Sequence, residues 1–252
     1  QFRGRFAVGL LVLVGVPPLV WFMLQRPGET GAVMKALSAG VAGWLIYATL
    51  KHRDPVEKNN MWAYLILTAG SLVFWSLFQM SPSGLQLFAV NNVDMHVFGI
   101  PVAPQWVQNI NAIVISVGGP LMALLFVRLR DRGWRIDLPK QFATSLLLMG
   151  LAFLALPAGI ALADDQGKTA FVWLFVCYVL QSVGELFISP IGYAMIGKLA
   201  PREYQGVMMG AWMLVTGLAS LFAGDFSGMV PEPAGTTAVA TNPEYAMLFG
   251  KL

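Results

Sequence analysis

The sequence predicts an all-α polytopic membrane protein, and three observations carry that expectation. Hydrophobic residues make up 57% of the 252 and charged residues only 12%, about half the ~25% charged content of soluble domains. That much apolar surface is hidden only where lipid is the solvent for the outer faces. Apolar runs recur along the whole chain, each near the ~20 residues that cross ~30 Å of hydrocarbon. The cations gather in alternate connections between those runs.

Seven spans are expected, at about 6–25, 31–50, 61–80, 105–129, 142–162, 170–198 and 205–224, with an eighth opening near Asn242. The first contains Pro17 and Pro18 and the sixth contains Pro190. Such breakers are tolerated where neighbouring helices satisfy the freed backbone groups. Segment 71–94 runs past its helix and stays partly apolar, so part of it is expected to pack on the helix mouths. Segment 226–243, rich in Gly, Pro, Ala and Thr, reads as an irregular external loop.

Arg3, Arg5, Lys51, Arg53, Lys58, Arg128, Arg130, Arg132, Arg135, Lys140, Lys198 and Arg202 fall on one alternate set of connections or its edges, 12 of the 16 Lys and Arg. The excess of cations on cytoplasmic loops then places the N-terminus and these loops inside. The net charge of +3 therefore reads as topology rather than as affinity for nucleic acid. The basic loop 128–139 reads as a hinge beside anionic headgroups. The opening "QFRGRF" resembles a loop entering a helix, and "EYAMLFGKL" looks like the start of another apolar segment. The chain is thus expected to be a piece of a longer protein.

Composition also narrows the chemistry. A single cysteine, Cys177, allows no intrachain disulfide and no cysteine cage for a metal. His52 and His96 stand far apart in loops. No phosphate loop, nucleotide fingerprint or nucleophile triad is present, so the chain is not expected to be an enzyme. No cofactor or metal is expected.

Glu185 is the costly residue. It lies near the middle of the sixth span, where an acidic side chain costs about 2.5–3.5 kcal/mol on insertion scales. At ~100° per residue, Tyr178, Gln181, Ser182, Glu185, Ser189 and Gly192 lie near one line of that helix. Such a face either joins a partner helix or lines a substrate or ion cavity. Asn109 and Asn111 open the fourth span and Gln79 closes the third; these amides bind ligands or join helices. Trp75 and Trp212 lie inside spans three and seven, where a Trp lines a cavity or fills a groove. Gly206 and Gly210 form a G-x-x-x-G pair, which permits close helix approach.

"QSVGELFISPIG" (181–192) resembles the tenth core helix of the proton-dependent oligopeptide transporters, the peptide branch of the major facilitator superfamily. "FWSLFQM" with "LFAVNNVD" (74–94) resembles the seventh helix and the segment after it. "NINAIVISVGGPL" (109–121) resembles the eighth helix, and "GVMMGAWMLVTGLASLFAG" (206–224) the eleventh. Segments 6–25 and 31–50 resemble the two additional helices that bacterial members carry between their six-helix halves.

The resemblance implies two accessory transmembrane helices in residues 1–60. In residues 61–252 it implies an incomplete C-terminal six-helix bundle, helices seven to eleven and the start of twelve. It further implies symport of di- and tripeptides with protons across a bacterial inner membrane by alternating access, with protons as the coupling ion and no other cofactor. The N-terminal six-helix bundle, a partner implied by the resemblance, is absent from this chain. Glu185 matches the glutamate that pairs with the peptide ammonium. Asn111 matches an asparagine that hydrogen-bonds the peptide backbone, with Ala112 where the family often has proline. Trp212 matches a tryptophan that lines a side-chain pocket, and Trp75 an aromatic of the same region. Tyr178, Gln181, Ser189 and Thr216 add polar groups to the implied substrate site. A related symporter for nitrate, an amino-acid-like compound or a drug is the alternative.

Overall fold

The computed structural model describes residues 2–97, 99–134, 137–230 and 237–252. The side chains of Arg3 and Arg5, all of Arg135, and segment 231–236 lie outside the described residues. The chain separates into two compact units, Gln1–Tyr47 and Ala48–Leu252.

The first unit holds α1 (Phe2–Gln25) and most of α2 (Pro27–Lys51). Pro17 and Pro18 both lie inside α1. The turn between the helices is a single residue, Arg26. Its guanidinium pairs with Glu29 at 3.2 Å and lies over the Phe22 ring. At the end of α1 the Met23 carbonyl accepts from Arg26 N at 3.2 Å and from Thr30 Oγ1 at 2.9 Å, which ties the turn to α2. Leu13, Val14, Leu19, Trp21, Phe22 and Leu24 are exposed, as side chains facing lipid are.

The second unit is built from α3 (Pro55–Phe78), α4 (Gly84–Asn92), α5 (Asn109–Asp131), α6 (Leu138–Ala161), α7 (Phe171–Leu199), α8 (Gln205–Ser227) and α9 (Ala238–Lys251). A 3-10 turn, Pro104–Gln108, leads into α5. Among the described residues, six helices are long and apolar enough to cross a membrane: α2, α3, α5 with its leading turn, α6, α7 and α8. The expected spans coincide with helices, but several start early: α1, α2, α6 and α9 each begin four residues before the expected position, and α3 six. α3 begins six residues before the expected 61, because Asp54 caps it through Val56 N and Glu57 N with Pro55 in the first turn. α9 begins at Ala238, so the expected irregular stretch 226–243 is helical at both ends.

α7 is the hub, packing on α3, α5, α6 and α8. Lipid offers no hydrophobic drive for one apolar helix to join another, so close van der Waals approach has to hold them. Gly184 supplies it centrally: a Cβ there would lie 3.1 Å from the Phe74 ring of α3 and 3.2 Å from the Ser145 carbonyl of α6. At Gly192 a Cβ would lie far closer than van der Waals contact to the Trp212 indole of α8. The expected G-x-x-x-G approach differs, since a Cβ at Gly206 or Gly210 meets nothing within 4 Å.

One end of the bundle is closed by the segment that follows α3. Ser83 Oγ and Ser227 Oγ lie 2.7 Å apart, tying α4 to the end of α8. α4 buries Leu85, Phe88 and Ala89, and Phe88 packs on Tyr245 and Phe249 of α9. Two short ribbons follow. β1 (Val93–Asp94) pairs in parallel with β4 (Thr169–Ala170), and β2 (His96–Val97) pairs antiparallel with β3 (Ile100–Pro101). His96 hydrogen-bonds Asp94 at 2.7 Å and holds that exposed carboxyl below the usual range.

Asn92 is fully buried at this end. Its Nδ2 donates to Thr241 Oγ1 and Asn242 Oδ1, each at 2.8 Å, and to the Ala238 carbonyl at 3.3 Å. Asn242 Nδ2 donates onward to the Gly167 carbonyl, and Lys168 Nζ reaches the Asn91 carbonyl. Two amides in series, Asn92 and Asn242, thus join α4, α9 and the α6–α7 connection. Replacing Asn92 with Ala leaves buried acceptors without a donor, at about 1–3 kcal/mol. Thermal unfolding of the full-length protein should show a lower Tm for Asn92→Ala. Asn92→Asp, equal in size but without the donor, should also lower it; a wild-type Tm in both variants would show that the amide holds nothing.

Candidate functional site

α7 carries the polar stripe, and the structure divides it. Tyr178 and Gln181 are almost fully buried and turn toward the end of α3. Tyr178 OH donates to the Ser81 carbonyl at 3.0 Å, and Ser81 Oγ donates to Gln181 Oε1 at 2.8 Å. Gln181 Nε2 reaches Cys177 Sγ on its own helix. These two side chains are largely committed to holding the turn after α3 against α7.

Glu185 lies about 21 Å along α7 from Phe171, fourteen residues at 1.5 Å each, and is partly buried. Asn111 crosses from α5 to meet it, donating from Nδ2 to Glu185 Oε2 at 2.8 Å and to Ser182 Oγ at 3.1 Å. Ser182 Oγ in turn donates to the Tyr178 carbonyl at 2.7 Å. Among the described residues no cation pairs with Glu185.

Asn111, Ser182, Tyr178 and Gln181 line a cavity of about 220 Å3 together with Phe78, Gln79, Ser81, Pro82 and Gln108. The side chains at its wall come from the end of α3, the start of α5 and the middle of α7, so no single element builds it. Its polar groups are mainly amides and hydroxyls, with the Glu185 carboxylate joined through Asn111. That set can both donate and accept hydrogen bonds, with a carboxylate close by.

The other candidates stand away from this wall. Trp75 is half-buried, edge-on to Phe74 and Phe78 with ring centroids 5.4 Å away in each case. Its indole N–H is buried with no acceptor among the described residues. Trp212 is 6% exposed and lies over Gly192 at the α7–α8 contact. Thr216 Oγ1 donates to the Met213 carbonyl on its own helix. Ser189 is partly buried, one turn beyond Glu185 on α7. Asn109 is exposed. Gln108 was missed by the sequence reading; its signal is the i, i+3 spacing from Asn111, which sets the two on one face. Ser81 was missed because it reads as the beginning of an external segment.

At the α7–α8 contact an added methyl must displace an indole. Gly192→Ala should destabilise the protein by about 1–3 kcal/mol, the usual cost of overpacking. Pairing it with Trp212→Leu should restore most of the lost Tm. A Tm loss in the double variant equal to the sum of the singles would show that the two positions do not share this contact.

Comparison with known proteins gives a coherent set. The family model described as the POT family matches residues 21–244. Dipeptide and tripeptide permease A of Chromobacterium violaceum is 35% identical over 98% of this chain and 50% of its own length. Dipeptide and tripeptide permease B of Aeromonas hydrophila is 33% identical over 96% of this chain and 49% of its own. The chain spans about half the length of the curated relatives it matches. Among solved structures, tetrameric PepTSo2 superposes with a TM-score of 0.79 at 24% identity, over 98% of this chain and 50% of that one. A variant of peptide transporter POT in complex with alafosfalin gives a TM-score of 0.75 at 22% identity, over 100% and 50%. These two likenesses show the fold.

Proposed function

The chain belongs to the POT family, and from that premise we propose that it supplies one half of a proton-coupled symporter for di- and tripeptides. The observation that carries this reading is the Glu185 carboxylate: partly buried, hydrogen-bonded by a neutral amide, unpaired with any described cation, and joined to a polar cavity. A short peptide has an ammonium, a carboxylate and one or two backbone amides. Glu185 binds the ammonium. Asn111 Oδ1 accepts from a backbone N–H, and the side-chain amides of Gln79 and Gln108, which line the same cavity, donate to the backbone or carboxyl oxygens. Gln181 and Tyr178 line the cavity as its structural wall, while Ser189, Thr216, Trp75 and Trp212 stand farther back, as support for the site or as wall for peptide side chains. The N-terminal bundle provides the opposing wall and the cations that read the peptide carboxylate.

In this reading the protein lies in a bacterial inner membrane, with the basic connections and the N-terminus of this segment in the cytoplasm. The two bundles open alternately to either side around the bound peptide. The inward proton gradient drives uptake because protonating a carboxylate in a low-dielectric cavity changes which state is preferred. The names of the curated relatives, dipeptide and tripeptide permeases, support the cargo.

The test uses full-length protein in proteoliposomes with an imposed proton gradient and labelled dialanine. Glu185→Gln removes a charge-assisted contact of about 1.5–3 kcal/mol, so uptake should fall by about ten- to a hundredfold with the Tm preserved. Unlabelled dialanine should compete and free alanine should not. Normal uptake and affinity in Glu185→Gln would sink the ammonium role; competition by alanine alone would replace peptide with an amino-acid-like cargo.

A further inference from the structure

We infer that Ser182 is a positioning residue for the substrate site, fixing which edge of the Asn111 amide faces Glu185. The inference rests on the reading of Glu185 and Asn111 as substrate contacts. An asparagine amide is nearly the same shape either way round, so only its network decides where the NH2 and the carbonyl point. Here the network runs in one direction. Ser182 is fully buried and has one hydroxyl hydrogen, which it donates to the Tyr178 carbonyl one turn back at 2.7 Å. What remains toward Asn111 is a lone pair, which accepts and does not donate. Asn111 must therefore turn its NH2 edge to Ser182, at 3.1 Å. The second hydrogen of that NH2 then meets Glu185 Oε2 at 2.8 Å.

A flipped amide would set its carbonyl oxygen against both the Ser182 lone pair and the carboxylate. Ser182 excludes that state without itself touching the carboxylate. With both Nδ2 hydrogens engaged, Asn111 keeps Oδ1 as its remaining ligand valence, so the site offers acceptors at this point.

Dialanine affinity of the purified full-length protein, read together with the KM and kcat of uptake, tests this. Ser182→Ala should weaken affinity and raise KM by about three- to tenfold, the worth of one hydrogen bond, with kcat kept. Ser182→Thr, which retains a hydroxyl able to donate back along the helix, should restore wild-type values. In an Asn111→Ala background, Ser182→Ala should change nothing further. A Ser182→Ala effect that adds fully to that of Asn111→Ala would overturn the positioning role, whatever Glu185→Gln does. So would a loss confined to kcat or to Tm, which is what a merely structural serine would give. Non-additive Ser182 and Asn111 effects beside a Glu185→Gln variant of normal affinity would instead retire the ammonium reading and leave the positioning role in place.

Discussion

Everything about the candidate site follows from holding a carboxylate near the middle of a membrane-crossing helix, and the residue that meets it is a single asparagine on a neighbouring helix. The magnitudes explain why that arrangement is useful. Placing an acidic side chain at a helix centre costs about 2.5–3.5 kcal/mol. One interhelical hydrogen bond within a membrane protein returns on average only about 0.6 kcal/mol. Asn111 therefore orients Glu185 without offsetting its cost. The remainder is free energy that the proposed ammonium of a ligand would recover on arriving, and a static helix pair would have no use for it.

The same bond sits where the scaffold is least covered. No residue of α5 is buried, and its long-helix partner is α7. A Cβ at Gly118 would lie 2.7 Å from Leu186 Cδ1, so backbone and side chain approach closely just beside Glu185. That contact and the Asn111 bond together set the distance between the two helices that share the cavity. The opposite flank of α7 is firmer, with Phe74 against Gly184, Trp212 over Gly192, and the Asn92 amide closing one end. The site thus lies between a tightly packed side of the bundle and a more open helix.

How much of this could be read from the sequence depends on the range of the interaction. Helical phase is local, so the spans and the grouping of Tyr178, Gln181, Ser182 and Glu185 on one line of α7 are legible from spacing alone. The early start of α3 was legible too, in Asp54 followed by Pro55, but the charged run around it obscured the signal. What spacing does not carry is the partner. Asn111 and Glu185 are 74 residues apart, and Ser81 and Gln181 are 100 apart. Ser81 looks like loop, and only the packed chain shows it between Tyr178 and Gln181. The Asn92 junction was equally hidden, since its acceptors lie about 150 residues onward in a stretch that reads as irregular.

The division of the α7 stripe shows why a list of polar residues is a poor guide to a binding site. Counting valences separates them. Tyr178 has given its only hydrogen to the Ser81 carbonyl, and Gln181 holds partners on both its oxygen and its nitrogen. A ligand oxygen could take the Tyr178 hydrogen, or the Nε2 hydrogen that Gln181 turns to Cys177, only by breaking a buried bond, each leaving an unpaired polar atom at about 1–3 kcal/mol. Glu185 still has Oε1, and Asn111 still has Oδ1, with no described hydrogen bond to either. Both are acceptors. The atoms left open at this point accept hydrogen bonds, which suits the ammonium proposed for this site. Gln79 and Gln108, whose amides offer donor and acceptor together, lie elsewhere on the same cavity. The wall itself is neutral, and the one carboxylate reaches it through Asn111, so in the proposed reading a molecule with an ammonium at one end and amides behind it would be held in one orientation.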